Sequence, residues 1–546
     1  MKNMNNKYLN IFGVLLVAFT FHACINDLDV TPINPQVTQT FHQDQVFAKV
    51  YAAYALTGQE GPAGNNDIDI VDEGRFSLFR CLWNCNELST DEAACAWGDA
   101  EVIDLNQNTW TAGNFSTEAL YARLYFIVSI SNHFLEETAK ITDEKTLKQR
   151  AEVKFLRALA YYYLMDNFGN VPFTTIVGTK APHQIERANL FAWIRGELKA
   201  IENDMYEPRQ APYYRVDKAA NWLLQARLYL NSEVYTGTAK WDSAAIYAKK
   251  VIDSGYQLAP TYRHLFMGDN AGTLDGSSVN SAPQEIIFPL AADGIKTQSW
   301  GLSLFLIGST YTSDMGDWGT NQGWGGNRAR QDLVKKFFPN PTSGTFITRD
   351  TDMTKVVIPI SWKDDRALFF RKSRTLSIVN LGKFKEGYSV IKFSNRRADG
   401  GTPHDPLYVD MDVPFMRLAE AYLTYAEAVV RGGSPIGGYT ALEAVNALRN
   451  RSRCGKAASS ISLQDPENIS TGEINIINEW AREFFFEGRR RTDLIRFGMF
   501  GGNTGYNWEW KGGVREGKNF EEYRNLFPIP TSDLNANENL QQNTGY

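Results

Sequence analysis

Between about Glu118 and Leu258, apolar residues recur at steps of three and four, the spacing that lines them along one side of an α-helix. The stretch from Ala151 to Leu164 shows it. So does the stretch from Lys218 to Leu230, followed after a turn at Gly237 by Trp241 to Ile252. Helix, short turn and helix, with alanine at the tight contacts, is the grammar of a tetratricopeptide repeat. The pattern returns from Met416 to Ala428 and, past Gly432 and Gly433, from Ala441 to Arg449. Each pair exposes an apolar face that only a neighbouring pair can cover, so the pairs are expected to stack. From about 260 to 405 the texture becomes Gly-rich, aromatic and β-branched, as between Gly308 and Trp324, which predicts short strands and long loops. The expectation is a mainly α fold: one domain over 41–546, with irregular helix pairs at about 118–258 and 414–450 around a loop-rich insertion.

The amino-terminal pattern is different. Lys2 and Lys7 precede an apolar run from Ile11 to Phe21 that leads into His22-Ala23-Cys24. A basic start, a run too short to span a bilayer and a small residue before a cleavage point describe a secretory signal over residues 1–23. With a cysteine after the small residue, the pattern resembles a bacterial lipoprotein box. Lipidation at Cys24 would anchor the chain to a membrane, and the polar residues 24–40 suit a tether.

Composition sharpens this reading. The 546 residues are 43% hydrophobic and 22% charged, the balance of a folded water-soluble chain. A net charge of −6 argues against nucleic acid as a partner, since that affinity comes from phosphate neutralisation. Aromatic residues reach 13%, with 13 Trp, an excess that calls for rings on a surface as well as in a core. Cys81, Cys85, Cys95 and Cys454 have no zinc-ligand spacing and read as small buried thiols. Arg489-Arg490-Arg491, interleaved with Glu483, Glu487 and Asp493, reads as an internal ion-pair network or a partner-facing surface.

The stretches from Glu479 to Gly498, from Phe527 to Leu534 and from Asn539 to Tyr546 resemble the SusD/RagB family of outer-membrane lipoproteins, and the similarity extends back to Cys24. Asn84-Cys-Asn-Glu-Leu88 and Trp508-Glu-Trp-Lys-Gly-Gly513 place the chain nearest the family's starch-binding branch. The resemblance implies a helical fold with four tetratricopeptide-like pairs. It also implies a non-catalytic role: capturing a starch-like or other α-glucan at the cell surface and delivering it to a SusC-like TonB-dependent transporter. A peptide, or a non-α-glucan such as a fructan, is the competing cargo. A glycoside hydrolase is the competing class, although paired acids such as Asp91-Glu92 occur in any chain this acidic.

A neutral sugar chain packs its C–H faces on flat rings and needs a few fixed donors and acceptors for its hydroxyls. By resemblance, Arg80, Trp97, Trp300 and Trp324 occupy the positions of an arginine and three aromatic platforms, with Trp300 in place of a tyrosine. Trp83 and Trp318 are further candidates, whereas Trp222, Trp241 and Trp480 lie on helical faces and read as core. Cys95 and Ala100 stand where the starch-binding branch has another tryptophan and an asparagine. That loss puts long helical amylose in doubt and makes dextran a serious alternative. No cofactor is required. Asp410 and Asp412 are the candidate oxygen donors to a structural calcium, with helix capping as the alternative.

Overall fold

The computed structural model describes residues 40–546, except 63, 70, 71, 73, 273–277, 339–345, 352, 353, 360–363 and 470. The signal segment, Cys24 and nearly all of the tether lie outside the described residues. Residues 45–546 form one unit.

Twelve helices frame the account: α1 (Gln43–Ala55), α2 (Leu78–Trp83), α3 (Phe115–Glu137), α4 (Glu144–Phe168), α5 (Arg187–Ile201), α6 (Lys218–Leu230), α7 (Trp241–Ile252), α8 (Ser303–Thr310), α9 (Leu418–Val430), α10 (Ala441–Arg451), α11 (Ile476–Phe484) and α12 (Arg490–Arg496). Side chains start several of them. Asn114 accepts from the backbone N–H groups of Ser116 and Thr117 at α3, Asp143 from Thr146 at α4, and Asp217 from Ala219 and Ala220 at α6. Thr440 and Glu443 form a reciprocal capping box at α10.

Helix α3 packs on α4, α4 on α5, and α6 on α7, as the periodicity predicts. The two helical blocks are continuous in space, because α7 packs directly on α9 and α9 on α10. The chain between Ile252 and Leu418 is therefore looped out of an otherwise sequential stack. Two antiparallel strands, β2 (Ile286–Leu290) and β4 (Val413–Arg417), pair at the base of that loop. A second short ladder joins β1 (Ala93–Cys95) to β3 (Asn327–Ala329).

Two local readings are corrected. Gly308 to Thr310 end helix α8, whose eight residues are all buried; two turns buried on every side show no amphipathic period and pass for a strand. Asp410-Met411-Asp412 precedes strand β4 rather than a helix, so neither carboxylate caps one. All four cysteines are free thiols; Cys81, Cys85 and Cys95 are buried as read, whereas Cys454 is half-buried, and burial pushes Cys81, Cys95 and Cys454 up to about 12.

The basic cluster is internal. Glu483 lies between Arg417 (2.7 Å), Arg366 (3.2 Å) and Arg451, all fully buried or nearly so. Arg417 also reaches Glu285 (3.0 Å) and Glu487 (2.7 Å), and Arg366 reaches Glu479 (2.8 Å). Arg490 pairs with Asp91 at 2.7 Å, and Arg496 with Glu427 at 2.6 Å. The partners are mostly remote in sequence, so the network joins β4, α10, α11, α12 and the segment around Asp91.

Burial alone would raise the Glu483 carboxyl, but Arg451, Arg417 and Arg366 outweigh it and hold the group at about 2. A carboxylate depressed in the folded state stabilises the fold above its unfolded value near 4.5, and that contribution fades as pH falls toward 2. Acid unfolding is therefore expected to begin below about pH 4.5. Glu483→Gln leaves three buried guanidinium groups without their shared charge. It should cost about 3–5 kcal/mol, read as a lower urea midpoint, and should flatten the acid limb between pH 4.5 and 2.

Candidate functional site

Arg80, Trp97, Trp300 and Trp324 line one open cleft of about 470 Å³, together with Gly74, Arg75 and Asp99. Three separate segments supply them, and short backbone ties hold those segments in place. In the β1–β3 ladder Cys95 lies opposite Asn327, and the Ala96 N–H donates to Gly326 O at 3.0 Å. That register sets Trp97, just beyond one strand, beside Trp324, just before the other. Asn106 pairs its side-chain amide with both backbone groups of Cys95, at 3.0 and 2.9 Å. Arg330, fully buried, donates to the carbonyls of Ala93 (2.8 Å) and Asn106 (3.0 Å) and braces β1 from behind.

The Trp300 segment is tied to α2 through one residue. Ser77 Oγ donates to Gly301 O at 2.6 Å and also accepts from the Arg80 N–H as the cap of α2. Arg80 lies one turn into that helix, with its guanidinium 5.2 Å from the Trp97 ring centroid and 5.0 Å from that of Phe305. It is 9% exposed, donates to Gly74 O at 2.8 Å, and its Nε has no hydrogen-bond partner. Burial pulls its pKa below the usual value. A buried donor without an acceptor is costly.

All three tryptophans are half-buried. Trp324 is central: its centroid is 6.5 Å from that of Trp97 and 6.2 Å from that of Trp300, with ring planes inclined by 49° and 43°. Its indole N–H donates to Gln322 Oε1 at 2.9 Å. Tyr408 meets Trp300 edge-on at 5.4 Å. Arg75 and Asp99 form a half-exposed ion pair at 2.9 Å on the rim, with Glu101 as a second partner of Arg75. The motif Ala96-Trp-Gly-Asp99 already pointed to Asp99, whereas sequence reading missed Arg75 and Tyr408, the latter 108 positions from Trp300 and without a local signal.

The other candidates fall elsewhere. Trp83 is 0% exposed and donates its indole N–H to Phe486 O at 2.8 Å, and Trp318 is 1% exposed against Tyr311. Neither offers a ring face to a ligand. Trp480 is core, as read from its helical position, whereas Trp222 and Trp241 are only half-buried. Asp410 accepts from the His404 N–H (3.0 Å) and Asp412 from the Ala292 N–H (2.8 Å), so both hold loop backbone. Among the described residues no group of three or more His, Cys, Asp or Glu is arranged to hold a metal ion.

The comparisons with known proteins agree with this architecture. A profile described as "SusD family" matches residues 284–546, and one described as "Starch-binding associating with outer membrane" matches residues 79–249. The starch-binding protein SusD of Bacteroides thetaiotaomicron is 42% identical over the full length of both chains. The chain belongs to the SusD/RagB family. SusD-like protein P2 of Formosa agariphila is 25% identical, covering 81% of this chain and 83% of that one. Among solved structures, a SusD superfamily protein from Parabacteroides distasonis superposes with a TM-score of 0.65 at 20% identity, covering 93% of this chain and all of that one. Surface glycan-binding protein A of B. thetaiotaomicron, solved with laminarihexaose, gives 0.62 at 16% identity, covering 92% and 99%. The family is described as associating with the outer membrane, and the matched relatives with functional names are named for binding starch or glycan.

Two glycines give the ring positions a direct test. A Cβ on Gly326 would lie 2.4 Å from Trp97 Cε2, and one on Gly308 would lie 3.0 Å from the Trp324 ring. Gly326→Ala should displace Trp97 and reduce the near-ultraviolet circular dichroism of the coupled indoles while the far-ultraviolet spectrum stays unchanged. Gly308→Ala should have a smaller effect.

Proposed function

We propose that this chain is a lipid-anchored surface protein that captures an α-glucan on the Arg80–Trp97–Trp300–Trp324 cleft and delivers it to a TonB-dependent transporter. One observation carries the reading: three tryptophans from three segments converge on a single open cleft. Sugar rings stack on such faces through their C–H groups, while Arg80, Arg75 and Asp99 supply donors and acceptors for hydroxyls. The inclination of neighbouring rings by 43–49° makes the platform curved. A chain that turns at each sugar, as α-glucans do, suits inclined rings, whereas a flat β-1,4 ribbon suits coplanar ones. The lipid anchor rests on Cys24 and its preceding apolar run, and the transporter on family membership.

The test is calorimetric titration of the soluble form, starting after Cys24, with amylopectin, dextran, levan and a β-1,3-glucan. An α-glucan should bind, and Trp324→Ala should weaken it by at least about 30-fold, about 2 kcal/mol, as expected for a central aromatic anchor. Affinity unchanged by Trp324→Ala would move the site elsewhere. Binding to the β-1,3-glucan or levan alone would replace the α-glucan, and no binding to any of the four would overturn the glycan reading in favour of peptide.

A further inference from the structure

The chemistry of the main cleft occurs a second time, in a part of the fold that shares no residue with it. Helices α4 and α5 pack together, and an open cleft of about 450 Å³ lies along them. Arg157 and Lys154 line it from α4, at i and i+3, and Trp193 and Glu197 line it from α5, at i and i+4. These spacings put each pair on one helix face.

The parallel with the main cleft is detailed. Arg157 is 5% exposed, as Arg80 is 9% exposed. Its guanidinium lies 5.4 Å from the Trp193 ring centroid, against 5.2 Å for Arg80 and Trp97. Its Nε, like that of Arg80, has no hydrogen-bond partner. The Nη groups are fixed by Asn132 Oδ1 and Glu197 Oε1, both at 2.7 Å, so the guanidinium is held while one buried donor stays unsatisfied. Trp193 is half-buried and braced edge-on by Tyr161 (5.2 Å) and Phe173 (5.0 Å). Lys154 has no carboxylate partner among the described residues.

We propose that Arg157, Trp193, Lys154 and Glu197 form a second glycan-binding cleft that takes a short segment of the same neutral polysaccharide. One ring with donors and acceptors of both signs suits one or two sugar units. An anionic ligand would face Glu197, and a cationic one would face Lys154 and Arg157. A weak second contact on the same polymer raises retention by effective concentration without a stronger main cleft. The inference rests on the reading that the chain binds a glycan.

The experiment is calorimetric titration of the soluble chain with maltoheptaose, and in parallel with isomaltoheptaose. Wild type should show two sites, the second weaker; Trp324→Ala should keep only the weak one, and Trp193→Ala only the strong one. Lys154→Ala, a surface change that leaves the melting temperature unchanged, should weaken the second site three- to tenfold. It decides the matter if Trp193→Ala fails to fold. A single site in wild type that Trp324→Ala abolishes would overturn the second cleft and leave the first standing. Two sites that survive both Trp193→Ala and Lys154→Ala would also overturn it. No binding by wild type would overturn both readings together.

Discussion

The shared carboxylate at Glu483 is the constraint on which the rest of the structure depends. Arg366, Arg417 and Arg451 reach it from the insertion, from β4 and from α10, and each also holds a second carboxylate. A buried ion pair adds little net stability compared with apolar packing, but it tolerates few alternative arrangements. A guanidinium out of register leaves a buried charge unpaired, at a cost of several kcal/mol. The network therefore acts on register. It determines where β4 lies against β2 and how the looped-out insertion returns to the helix stack.

The main cleft inherits that order by a short route. Glu87, in the turn following α2, accepts from the backbone N–H groups of Gly488 (2.7 Å) and Arg489 (3.0 Å), next to the ion network. Helix α2 carries Arg80, and its cap Ser77 holds the Trp300 segment. Asp91 pairs with Arg490 immediately before β1, which leads to Trp97. The binding rings lie on loops, yet each loop is tied within a few residues to a buried charge, a strand pair or, for Trp300, the Ser77 cap of α2. Binding residues on loops over a rigid support are the usual division of labour.

The two clefts solve one chemical problem on different scaffolds. Each sets a half-buried indole beside a buried arginine with an unsatisfied Nε. The first is assembled from three remote segments and offers three inclined rings. The second lies along α4 and α5, with the end of α3 and residues 175–176 completing it, and offers one. Extent of platform, rather than type of contact, separates a site for a chain segment from one for a sugar or two.

Much of the fold was legible because helical packing is local in sequence. The three- and four-residue steps in α7 report directly which side of that helix is buried, at Ala244, Ala245, Ala248 and Val251. That the Arg489–Arg491 cluster is paired with acids was legible too, from the interleaved charges, but whether it lay inside or faced a partner was not. Nor were its partners: Arg490 pairs with Asp91, 399 positions away. Helix α8 was missed because a helix buried on every side has no period. Trp83, Trp97, Trp318 and Trp324 are alike in composition and in Gly- or polar-rich surroundings, and nothing local separates ring face from core. What divides them is the β1–β3 register, which turns Trp97 and Trp324 into one cleft, and the packing of Phe305, Phe486 and Tyr311, which closes over Trp83 and Trp318. The sequence by itself determined the two helical blocks, the family and the kind of chemistry. Tertiary structure alone decided which rings meet, because exposure is a property of neighbours that the chain brings together only on folding.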